Sequence, residues 1–214
     1  MSTTVAVMRA YKFLDADGCA PFTAFLWTPG EWVEASGAEP CRVGVHGCPS
    51  ADLSHWLAAS LWEIELDGPI VQTRHKVVGS RGRLVREIAG YAAAVRELAA
   101  IGAWRCRDRA VSALRTAGDD RLADRFAAVA TLDELAALGA DADESTFAGG
   151  AAALAADAAH FAPRGLPAQA PFVAACSAGH VAGGPDSDQA GYDEGYAAER
   201  AFQSAWLTER LALG

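Results

Sequence analysis

Apolar and polar residues alternate over positions 7–14 (VMRAYKFL), the period of a half-buried strand, and Asp15-Ala-Asp-Gly18 follows as a turn. Residues 22–27 are expected to pair back as a second strand, ended by Thr28-Pro29-Gly30, and 32–34 and 42–46 give two short further ones. The strictest alternation lies at 61–66 (LWEIEL), where Leu61, Glu63 and Glu65 share one face and Trp62, Ile64 and Leu66 the other. Asp67-Gly68-Pro69 reads as a turn into a strand at 70–78, and Gly79-Ser-Arg-Gly82 as a second turn into a last strand at 83–88. Between these, Ser50 is the expected N-cap of a short helix over 52–60, with Asp52 in its first turn and Leu53, Trp56 and Leu57 on one face.

From Tyr91 the apolar period lengthens to that of a helix. Val95, Leu98, Ile101, Val111 and Leu114 repeat along 92–118, with Gly102 as the point where a break is expected. Helices follow at 119–130 and 132–138, the second opened by Thr131 with Glu134 three residues on as a capping box. An Ala-rich helix spans 147–161, a connector 163–171, a short helix 172–182, a polar loop 183–191 and a terminal helix 192–213. The pattern predicts an α+β protein, with a small antiparallel β-sheet in the N-terminal half packed against a C-terminal all-helical half. Residues 1–90 form the β-rich unit with one short helix, 91–214 the helical unit, and the two are expected to make one compact protein.

Composition narrows the classes of partner. With 51% hydrophobic and 21% charged residues, the 214-residue chain can bury a sizeable core. Its net charge of −9 argues against nucleic acid, which a basic surface must hold. Residues 1–90 carry 8 basic and 10 acidic groups, net −2, whereas 91–214 carry 10 and 17, net −7, so an electropositive pocket belongs in the first part. No basic segment followed by an apolar one opens the chain, and no run of 18 apolar residues occurs. A cytoplasmic protein with no membrane span and reduced thiols is expected.

Candidate chemistry centres on Cys41-Arg-Val-Gly-Val-His-Gly-Cys48, two thiols and an imidazole within eight residues of a chain holding five Cys and five His. His46 suits proton transfer near neutral pH, and Cys48 shares its strand face. The carboxylates of Glu63 and Glu65 could act as acid and base if their face lines a cleft, or form a solvated sheet face. Tyr11, Trp27, Trp62 and Arg74 are the expected substrate contacts, three aromatic walls and one member of the basic run Arg74, His75, Lys76, Arg81, Arg83 and Arg86. That run could grip an anion or neutralise the acidic helical part. Cys41, His46 and Cys48 lack the fourth ligand of a structural zinc site, and Asp157 with His160, or Cys176 with His180, lack the usual bundle signature, so neither a metal nor a cofactor is expected.

Tyr11-Lys-Phe-Leu14, Cys41–Cys48 and Leu61-Trp-Glu-Ile-Glu-Leu-Asp-Gly68 resemble an uncharacterised actinobacterial domain family over about the first 90 residues. More remotely, the Tyr-Lys strand and the Gly-Val-His strand resemble the first two core strands of ADP-ribosyltransferase-like folds. That resemblance implies a nucleotide contact at His46 and a late acidic position at Glu63 or Glu65. The order of the other motifs differs, so it implies a fold and not NAD chemistry. The resulting expectation is an enzyme acting on a small organic molecule without a tightly bound cofactor, with acid/base chemistry at His46. A non-catalytic binding or interaction module, with an oligomer formed through the helical half, is the alternative.

Overall fold

The computed structural model describes residues 7–164 and 168–213. Five strands, β1 (Met8–Leu14), β2 (Val33–Glu34), β3 (Val45–Gly47), β4 (Ser60–Gln72) and β5 (Val77–Glu87), make one antiparallel sheet in the order β1-β4-β5-β2, with β3 also paired to β5. Six helices follow: α1 (Tyr91–Thr116), α2 (Asp120–Ala128), α3 (Leu132–Ala137), α4 (Phe147–Phe161), α5 (Gln169–Gly183) and α6 (Gln189–Arg210). The protein is α+β, with the sheet in the N-terminal half and helices in the C-terminal half. No helix among the described residues is long and apolar enough to cross a membrane.

Two expected turns are absorbed into long strands. β4 runs through Asp67-Gly68-Pro69 and β5 through Gly79–Gly82, and the hairpin closes at Thr73, whose N–H donates to Lys76 O at 2.8 Å. A register jump between Asp67 and Ile70 takes up the residues that looked like a turn: Gly68 adopts φ +75°, and its N–H donates to Asp67 Oδ1 at 2.7 Å. Such a bulge lets Gly and Pro sit inside a strand. Gly82 serves close approach instead, since a Cβ there would lie 2.7 Å from Val45 Cγ1 and 2.9 Å from Glu65 O.

The expected strand at 22–27 is a loop. Pro21 cannot donate to a ladder, Phe22 and Ala24 take φ of +73° and +53°, and the segment pairs back through an isolated bridge, Cys19 with Leu26, in place of a strand. The expected helix at 52–60 is a 3₁₀ turn over Ser50–His55, entered from Pro49 without a side-chain cap. It is fastened by the end of the chain: Ser204 Oγ accepts from Ser54 N–H at 3.1 Å, and Thr208 Oγ1 donates to Ser50 O at 3.3 Å.

The helices match their pattern more closely. Thr131 and Glu134 form both bonds of the capping box that opens α3, and α1 continues through Gly102. α5 starts at Gln169, with Pro171 in the first turn where its missing N–H costs little, and α6 starts at Gln189 behind Asp188, whose carboxylate accepts from Ala190 and Gly191. Residues 165–167 of the expected connector lie outside the described residues.

The chain divides into two compact units. One holds the residues up to Ala92 together with those from Ser204 onward; the other runs from Ala93 to Gln203. The first unit buries Ala10, Leu14, Val45, Ile64, Leu66, Val77 and Leu84 on one face of its sheet. The second packs small residues, among them Ala103, Ala110, Ala151, Ala155 and Ala174, around Leu114, Phe126 and Leu135.

Candidate functional site

The first unit contains a cavity of about 580 Å³. β1 contributes Tyr11 and Lys12, β3 contributes His46, the loop after β1 contributes Phe25 and Trp27, and Trp56 and Lys76 complete the polar and aromatic wall. Alternation along β1 decides what faces it. Lys12 stands opposite Trp62 in the β1–β4 register, and Tyr11 opposite Glu63, so Lys12 is on the face that carries Ala10, Ile64 and Leu66 while both glutamates are on the other.

Lys12 is the unusual group. Its Nζ donates to His46 O at 3.1 Å and lies 4.8 Å from the Trp27 ring centre, and no carboxylate pairs with it among the described residues. Burial lowers its pKa from 10.5 to about 8, partly offset by the Cys48 thiol, because desolvation disfavours the ammonium. The neighbouring Trp27 is 7% exposed, and its indole N–H is buried without an acceptor. Lys76 reaches the wall from the start of β5, 4.6 Å from the Trp56 ring centre and 3.3 Å from Cys41 Sγ. These are the only two lysines of the chain, against sixteen arginines, and both line the cavity. That imbalance is legible in the sequence, where it marks the two ammonium groups without telling where they point.

His46 lies on the wall with both ring nitrogens engaged by backbone. Nδ1 is 3.0 Å from Gly44 O and therefore carries the proton, while Nε2 accepts from Cys41 N–H at 3.2 Å. Burial lowers its pKa, the Gly44 bond opposes this, and Lys12 and Lys76 add to the lowering. Cys48 also lines the cavity, is buried, and exchanges two backbone bonds of 2.8 Å with Tyr11. Its thiol is pushed well above the ordinary range by burial first and Asp52 second, so it stays protonated at neutral pH.

Trp27, His46 and Cys48 line this cavity, Tyr11 borders it from a strand position whose side chain shares the face of Glu63, and Glu63, Glu65, Trp62 and Arg74 lie away from its lining. Glu63 accepts from Arg86 Nε at 2.7 Å and Glu65 from Arg83 Nε at 2.8 Å, and Arg81 donates to Asp67 at 3.0 Å. Arg81, Arg83 and Arg86 of the basic run are thus partners of the acidic strand in one cross-strand ladder. Arg74 is exposed in the hairpin turn, and the Trp62 indole donates to Ser60 Oγ at 3.2 Å.

The thiols and imidazole of Cys41, His46 and Cys48 do not converge on a common point, nor do Asp157, His160 and His180. His180 stacks on Phe147 and bonds Phe147 O at 2.8 Å. No protein-family model matches the chain, and neither a curated protein nor a solved structure matches it.

Proposed function

We propose that the first unit binds a small organic anion with a flat apolar body, held by Lys12. The observation that carries this reading is an excess of donors: a half-buried ammonium without a carboxylate and a buried indole N–H without an acceptor, both on the wall of one cavity. A buried cation is costly unless paired, and a ligand carboxylate or phosphate would supply the missing partner. Phe25, Trp27 and Trp56 offer faces for an apolar ring, and Lys76 and Arg42 outnumber Glu34 at the margin.

A second reading rests on the tautomer of His46. Gly44 O holds the proton on Nδ1 and leaves Nε2 as the acceptor, so a ligand O–H replacing the 3.2 Å Cys41 contact would meet a general base. Titration of the full chain with a panel of aromatic and aliphatic carboxylates and phosphates, followed by tryptophan fluorescence, tests both. At least one member should bind, and Lys12→Met should weaken it by at least about 100-fold, or ~3 kcal/mol. Equal binding by that variant, or none by the wild type, overturns the anion reading. Ligand recovered chemically changed from wild type but not from His46→Ala would support catalysis.

A further inference from the structure

The 3₁₀ turn and the hairpin turn of the first unit bring together three side chains that the cavity does not use. Asp52, His55 and His75 each offer one ligand atom within 4.8 Å of the others', the only such set of three among the described residues. We infer that these residues form a binding site for a divalent transition metal, zinc being the best match, with one coordination position left open.

Local geometry explains the grouping. A 3₁₀ helix has three residues per turn, so positions i and i+3 eclipse, and Asp52 and His55 fall on one line. In an α-helix the same pair would be offset by about 60°. The turn is fixed by Ser54 N–H donating to Ser204 Oγ and Thr208 Oγ1 donating to Ser50 O. His75 comes from the opposite side and is fixed by its own carbonyl, which accepts from Trp56 Nε1 at 2.9 Å. Both supports hold the backbone, at Ser54 N–H and Ser50 O on one side and at His75 O on the other.

The chemistry of the set is that of a metal centre. His75 Nδ1 lies 2.8 Å from Asp52 Oδ1, and no other basic side chain pairs with Asp52 among the described residues. The His55 and His75 rings stack with centres 3.9 Å apart and planes 22° apart. Metal–ligand bonds of about 2.0–2.1 Å place tetrahedral ligand atoms roughly 3.3 Å apart, which rotations of three partly exposed side chains can reach from the present spacing. Two imidazoles and one carboxylate are the three-ligand set that leaves a position for water or substrate.

This inference is independent of the anion reading and has its own test. Full-length protein stripped with chelator is titrated with Zn²⁺ by calorimetry, and with Co²⁺ by absorption spectroscopy. One equivalent should bind, with the visible bands of low-coordinate cobalt and no sulfur-to-metal charge transfer. His75→Ala should weaken Zn²⁺ by more than about 100-fold, and Asp52→Asn, which keeps the shape, by about 10–100-fold. Far-UV circular dichroism checks that each variant folds. No stoichiometric uptake by folded wild type overturns the inference; so does unchanged uptake in Asp52→Asn, or a thiolate charge-transfer band, which would put the metal on cysteine.

Discussion

Each compact unit draws cationic side chains partly out of water, and the two units treat them in opposite ways. In the helical unit, Arg105 and Arg109 converge on Glu199, whose side chain is 1% exposed. Arg105 grips that carboxylate through Nε and Nη2, and Arg109 adds a further bond to it and one to Ala174 O at 3.2 Å. Both guanidinium groups thus meet the same carboxylate, and Arg109 also meets a backbone carbonyl. In the sheet unit, Lys12 has one backbone carbonyl, one aromatic ring and an open cavity. The first arrangement is what a structural ion cluster requires. The second is incomplete without something from outside, and that difference, more than any motif, separates scaffold from site.

The comparison breaks most sharply at Glu199. Replacing it by Gln leaves two guanidinium groups facing a neutral amide, and should cost about 3 kcal/mol of stability in denaturant unfolding. A loss below about 1 kcal/mol would mean that the arginines find water easily and that the cluster is not the lock described.

Lys12→Met sharpens the contrast by moving the other way. It should raise stability at pH 7 by about 1–2 kcal/mol, because a desolvated ammonium is exchanged for a thioether. The sign with pH follows from the lowered pKa. Between about 8 and 10.5 the unfolded chain keeps a proton that the folded chain has lost, so the wild type gains stability from this group as pH rises. The advantage of the variant should therefore shrink across that window. A constant difference would mean that Lys12 is solvated.

The smallest effect belongs to the part-exposed Arg83–Glu65 pair of the cross-strand ladder. Arg83→Ala removes a pair in which the arginine side chain is 41% exposed, and should change stability by no more than about 1 kcal/mol, in a salt-sensitive way. A larger loss would give Glu65 a role that its place on the sheet does not suggest.

Periodicity made the architecture readable, because strand and helix periods differ over long windows. β1, α1 and the Thr131–Glu134 cap all follow from local rules. Gly68-Pro69 was misleading, since a bulge and a turn use the same residues and only the partner strand distinguishes them. At the site, Tyr11, Trp27, His46 and Cys48 stood out as residue types. Lys12 did not, because in an alternating strand a lysine reads as the solvent side; its burial comes from the loop carrying Trp27, a fact of tertiary packing. Asp52, His55 and His75 were hidden for a similar reason, two turns distant in sequence meeting through a hairpin whose position was misplaced by three residues or more.

The fastening of Ser50 and Ser54 by Thr208 and Ser204 has a consequence for synthesis. Leu207 is fully buried, and it and Leu213 belong to the unit whose strands are translated first. On the ribosome, that unit must wait through more than a hundred residues for its final piece. A fragment cut after Ala92 would lack it, so the sheet unit should be expressed with its C-terminal segment joined by a short linker, not as a simple N-terminal truncation.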